Sequence, residues 1–202
     1  MRIDGARLIE LVLESLSQSR LIPLIPLALV AATNGDYRMI REFERQHEQR
    51  AQGHSAAMYY AVECSEDLAL ASLSARQAAA ARYPLLAGYY RSVQEFTPAS
   101  DDLCRAWDVA VPRPEVTAPV VSDVPALLLA GEYDPITPAR WADTAAATLR
   151  QSEVYHVRGT GHAVITRGAC VRKVIGTFLD RLTARSVAGC LAGIGRPVFV
   201  ER

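Results

Sequence analysis

The run Val124-Pro-Ala-Leu-Leu-Leu-Ala130 and the turn after it, Gly131-Glu-Tyr-Asp-Pro-Ile-Thr-Pro138, decide the class of fold. The run has none of the polar alternation of a strand with one wet face, and Pro125 and Gly131 bound it. It reads as a strand buried on both faces of a parallel sheet. Residues 141–149 read as the crossover helix that a parallel neighbour requires, and Glu153-Val-Tyr-His-Val157 as that neighbour. From residue 170 to 182, Val171, Val174, Ile175, Phe178 and Leu182 fall on one side of an amphipathic helix. Strand, helix, strand, helix is the order of a doubly wound α/β fold.

Two positions in this frame carry chemistry, because reactive groups in open α/β sheets sit just past the carboxyl ends of the strands. Asp134 follows the first strand, in a turn whose backbone Pro135 stiffens. His162, in Gly159-Thr-Gly-His-Ala163, follows the second. A carboxylate at one strand tip can accept the proton-bearing nitrogen of an imidazole at the next, fixing its tautomer and stabilising the imidazolium formed when histidine acts as general base. A turn aspartate before proline and a histidine between small residues are each commonplace. In this order and topology they read together as the acid and base of a triad.

The 22 Lys and Arg balance the 22 Asp and Glu, so there is no basic field for nucleic acid. Half the residues are hydrophobic, the composition of a chain that folds. Near the start, Leu8, Leu11, Val12 and Leu16 recur at helical steps. The run Leu21-Ile-Pro-Leu-Ile-Pro-Leu-Ala-Leu-Val-Ala-Ala32 is too short to span a bilayer and reads as a buried helix entered through Pro23 and Pro26. Residues 38–52 read as a solvated helix. Ala57-Met-Tyr-Tyr-Ala-Val-Glu-Cys64 reads as a buried strand, although its periodicity also fits a helix. An Ala-rich helix reaches about Arg82, and residues 97–123, rich in Pro, Ser and Asp, read as a long connection. The first ten residues lack the ordered regions of a secretory signal. Cys64, Cys104, Cys170 and Cys190 fit no C-x-x-C metal spacing and allow three pairings, so free thiols and disulfides both stay open; no metal or cofactor is expected.

The stretch Pro125 to Trp141, then Gly159-Thr-Gly-His162, Cys170 and Cys190, resembles the C-terminal region of tripeptidyl aminopeptidase-like hydrolases, relatives of proline iminopeptidase. Asn34-Gly-Asp36, Ala61-Val-Glu-Cys-Ser-Glu66 and Cys104-Arg-Ala-Trp107 are similar to the cap and post-cap region of the same family. The resemblance implies a partial α/β-hydrolase fold: a helical cap segment at 1–56, then, at 57–202, the C-terminal strands and helices of a mostly parallel sheet. It implies Asp134 as the acid, His162 as the base, and disulfides joining Cys64 to Cys104 and Cys170 to Cys190. Glu66 becomes the candidate to grip a substrate's α-ammonium. The activity implied is cleavage of short peptides from the N-terminus, in a secreted or periplasmic setting.

The nucleophile is the missing part. A hydrolase of this kind needs a G-x-S-x-G elbow between an apolar strand and a helix. The nearest match, Gly53-His-Ser-Ala-Ala57, follows the charged residues 44–52 and precedes an apolar run, the reverse of what an elbow requires. Ser55 is therefore not expected to be the nucleophile, and the chain reads as the C-terminal portion of an enzyme whose N-terminal half carries the serine. The alternatives are a catalytically inactive hydrolase-like binding module, or an esterase on the same scaffold.

Overall fold

The computed structural model describes residues 3–109 and 114–201. The helices α1 (Gly5–Leu16), α2 (Ile25–Thr33), α3 (Arg38–Ala51), α4 (Ala56–Ser65), α5 (Asp67–Leu70), α6 (Leu73–Ala80), α7 (Ala87–Ser92) and α8 (Pro98–Trp107) come first. Strand β1 (Ala126–Gly131), helix α9 (Arg140–Ala146), strand β2 (Ser152–Val157) and helix α10 (Gly168–Arg181) follow. The chain forms two compact units, one of Met1–Leu11 with Glu42–Ala118, the other of Val12–Arg41 with Pro119–Arg202. From residue 57 to 109 the described chain is mainly helical, and its helices are tied to one another.

Those ties are a disulfide and a buried cation. Cys64 of α4 is bonded to Cys104 of α8, closing a 40-residue separation; such a cross-link stabilises by about 3 kcal/mol or more through the unfolded chain. The guanidinium of Arg76, on α6, donates to the carbonyls of Ala71 and Glu95, to Ser100 Oγ at 3.1 Å and to Asp101 Oδ1 at 2.7 Å. Its side chain is only 10% exposed. Arg76→Met would strand these acceptors and is expected to destabilise this unit by roughly 2 kcal/mol. A denaturant midpoint unchanged from wild type would contradict that role.

Two expectations for the first unit are corrected. The run from Ala57 to Cys64 is helical, not a strand: Ser55 caps α4 by accepting from the Met58 amide at 3.2 Å, and alanine at positions 56 and 57 favours the helix. The expected connection at 97–123 contains α8, which Pro98 opens at the first turn, with Asp101 on its positive end. Residues 110–113 of that stretch lie outside the described residues.

In the second unit β1 and β2 run parallel, in register from Ala126 opposite Ser152 to Gly131 opposite Val157, with α9 between them in sequence. Val171, Val174 and Phe178 of α10 join Val157, Val164, Ala184 and Leu191 in one core. Cys170, on α10, is bonded to Cys190 in the short helical turn Ala188–Gly193. The Pro-rich run forms α2, entered through a tight turn at Ile22–Leu24, with Ile25 and Ala28 buried. The described residues supply two strands, a partial α/β arrangement, so β1 has a strand on one side only and Ala126–Leu129 are half-buried where full burial was expected. Leu182 is 61% exposed and ends α10 in a left-handed conformation instead of extending its buried face.

Glu153 of β2 ties this unit to the segment after α10, its side chain 8% exposed. It accepts from the Thr183 hydroxyl, the Ala184 amide at 3.0 Å and the Tyr155 hydroxyl at 2.9 Å. Burial pushes its carboxyl up, and the bonds from Thr183, Ala184 and Tyr155, with nearby Arg185, outweigh that, leaving it below the ordinary value. A depressed folded pKa stabilises the native state above the unfolded pKa, and that stability is lost as pH falls through the folded value. Glu153→Gln is thus expected to flatten the decline in unfolding midpoint below about pH 4. A variant as acid-sensitive as wild type would refute the assignment.

Candidate active site

The two strand tips are stitched together by backbone bonds. Beyond β1, the Glu132 amide donates to the Val157 carbonyl at 3.1 Å and the Tyr133 amide to the Thr160 carbonyl at 2.9 Å. Glu132 Oε2 accepts from the amide of Gly159, whose φ of +59° suits glycine. A Cβ on Gly131 would lie 2.2 Å from the Gly161 carbonyl oxygen, so only glycine lets the two loops approach this closely.

The turn after β1 folds around its own carboxylate. Asp134 Oδ1 accepts from the amides of Ile136 and Thr137, both at 2.9 Å, and Oδ2 accepts from the Thr137 hydroxyl at 2.7 Å. The side chain is 4% exposed. Burial pushes the carboxyl up, but the Thr137 amide and hydroxyl, His162 and the Ile136 amide together hold it below the ordinary aspartate value. It therefore stays a carboxylate throughout the neutral range.

The histidine loop is held from another side. The His162 amide donates to the Ser17 carbonyl at 2.9 Å, and the Gly161 amide to Ser19 Oγ at 3.0 Å. Ala163 then turns the chain with a left-handed φ of 58°, a conformation that costs a non-glycine residue about 1 kcal/mol. The result places His162 Nδ1 2.9 Å from Asp134 Oδ2. Thr137 Oγ1 lies 3.3 Å from the same nitrogen. The carboxylate can only accept, and the Thr137 proton is already given to it, so Nδ1 carries the ring proton. Nε2 then keeps its lone pair, on a ring 37% exposed, which is the form of imidazole that can take a proton from a nucleophile.

A second pair, Asp143 and His156, also lies at 2.9 Å, but its side chains are 56% and 48% exposed. Solvent screens such a pair, and Asp143 lacks the ring of donors that fixes Asp134. The pair brought together as read from sequence is Asp134 and His162. Glu66 belongs to the other unit, exposed between α4 and α5. Near it Glu63 is half-buried, its carboxyl raised first by burial and then by Asp67, Glu95 and Glu66. Ser55 caps a helix and follows α3, with no strand before it. Sequence reading passed over Thr137, although a threonine three residues after a turn aspartate is a signal for such a bond. Among the described residues no cluster of three or more His, Cys, Asp or Glu could hold a metal. No helix there is long and apolar enough to cross a membrane.

Residues 91–187 match the α/β-hydrolase family described as TAP-like protein. No curated protein and no solved structure matches the chain. The TAP-like segment, a little under half of the sequence, contains β1, β2, Asp134 and His162, and two of the four cysteines, Cys104 and Cys170. Ser55, Glu66 and the helices α1 to α6 lie outside the match.

Proposed function

We propose that Asp134 and His162 are the acid and general base of a serine hydrolase of the aminopeptidase type. The observation that carries this reading is the 2.9 Å pairing of Nδ1 with an otherwise saturated carboxylate, which leaves Nε2 as the basic nitrogen. Nε2 would take the proton of a serine as it attacks the substrate carbonyl, then return it to the leaving amine. Asp134 would hold the tautomer and stabilise the transient imidazolium without itself being protonated. The serine comes from polypeptide outside these 202 residues, a reading supported by the helix-capping role of Ser55. The substrates are short peptides, and Glu66 is the candidate to receive the free α-ammonium. Two disulfides favour a secreted or periplasmic setting. The position of Ser55 equally favours a second reading, a non-catalytic module on a hydrolase scaffold.

Fluorophosphonate labelling followed by mass spectrometry separates these. In the isolated chain every serine, Ser55 included, is expected to stay unmodified. Complementation with the nucleophile-bearing half of a TAP-like hydrolase is expected to restore labelling and peptide release, and His162→Ala to abolish both. A label on Ser55, or complementation indifferent to His162, would overturn the assignment. Failure to complement, with retained binding of peptides, would favour the module.

A further inference from the structure

We infer that Thr137 is a positioning residue for the acid–base pair, its hydroxyl holding Asp134 Oδ2 where it receives the Nδ1 proton of His162. The inference deepens the proposed function and rests on it. Asp134 needs restraint about its side-chain torsions, since rotation would exchange the oxygen that faces the imidazole. The amides of Ile136 and Thr137 hold Oδ1 alone. Among the described residues the partners of Oδ2 are the Thr137 hydroxyl, at 2.7 Å, and His162 itself. Because the hydroxyl donates to the carboxylate, its oxygen presents a lone pair to Nδ1 at 3.3 Å and adds a second, weaker acceptor for the same proton.

The placement is also protective. Thr137 is exposed, while the carboxylate to which its hydroxyl donates is almost wholly covered. Water in its place would compete for Oδ2 and loosen the imidazole. Two donors on each carboxylate oxygen also spread the negative charge, which keeps Asp134 a weak base and leaves the proton on histidine.

The test is NMR of the labelled full chain, reading solvent exchange of the His162 Nδ1 proton and the titration of the Asp134 carboxyl carbon. Thr137→Val keeps the side-chain shape and removes the hydroxyl at an exposed position. Exchange is expected to quicken roughly tenfold, the loss of one charge-assisted bond, and the Asp134 midpoint to rise toward the ordinary aspartate value. Thr137→Ser, which keeps the hydroxyl, is expected to restore both. A valine variant indistinguishable from wild type, or a serine variant that behaves like valine, would overturn the role of Thr137 while the pair itself stood. A wild-type Nδ1 proton with no protection, unaltered by Asp134→Asn, would overturn the pairing and this inference with it.

Discussion

Peptide turnover by the complemented enzyme is expected to fall by about ten-thousandfold when Asp134 is replaced by asparagine. The size of the effect follows from which oxygen is locked. Two backbone amides donate to Oδ1, so the asparagine carbonyl must occupy that position and its NH2 must replace Oδ2. That NH2 points a proton at His162 Nδ1 and forces the ring proton onto Nε2, where it blocks acceptance of a proton from serine. The turn keeps its backbone bonds, so thermal unfolding should shift little while kcat falls. Loss of less than tenfold would show that the carboxylate is not orienting the base. A matching collapse of stability would show a structural effect instead.

The second large effect concerns packing. A Cβ on Gly161 would lie 2.2 Å from the Leu16 carbonyl oxygen and 2.7 Å from the backbone of Ser17, atoms that cannot swing aside as a side-chain tip would. Gly161→Ala must push the loop off Ser17, breaking the bond from the His162 amide, or distort the turn after α1. We expect a cost of roughly 3 kcal/mol, at the upper end for overpacking, and loss of the Asp134–His162 bond. Gly176, inside α10, supplies the opposite sign: nothing lies within 4 Å of a Cβ there, so Gly176→Ala should stabilise by about 0.5–1 kcal/mol. Equal melting temperatures for the two variants would refute the argument.

The part of the fold legible in sequence is the part written in local chemistry. An unbroken apolar run between Pro125 and Gly131 has few alternatives to a strand, and the valines of α10 recur at helical steps. The two tips follow once those strands are parallel, so Asp134 and His162 could be named from sequence and are found 2.9 Å apart. Ala57 to Cys64 was ambiguous because a short, mainly apolar run suits either element, and the deciding feature, the cap from Ser55, lies just outside the run. The half-burial of β1 was not legible, since an apolar run says what a strand can bury, not how many neighbours it has. The grip of Ser17 and Ser19 on the histidine loop was also invisible, because it joins residues more than 140 positions apart, through the Ser17 carbonyl and the Ser19 hydroxyl, and no local pattern marks so distant a pairing.

The account depends on one protonation pattern in one ring. A long-range 1H–15N spectrum of the imidazole-labelled chain near pH 8 reports it directly. The predicted result is His162 as the Nδ1-protonated tautomer, with a downfield, exchange-protected Nδ1 proton that disappears in Asp134→Asn. A ring protonated at Nε2, or one averaging freely between tautomers, would contradict it.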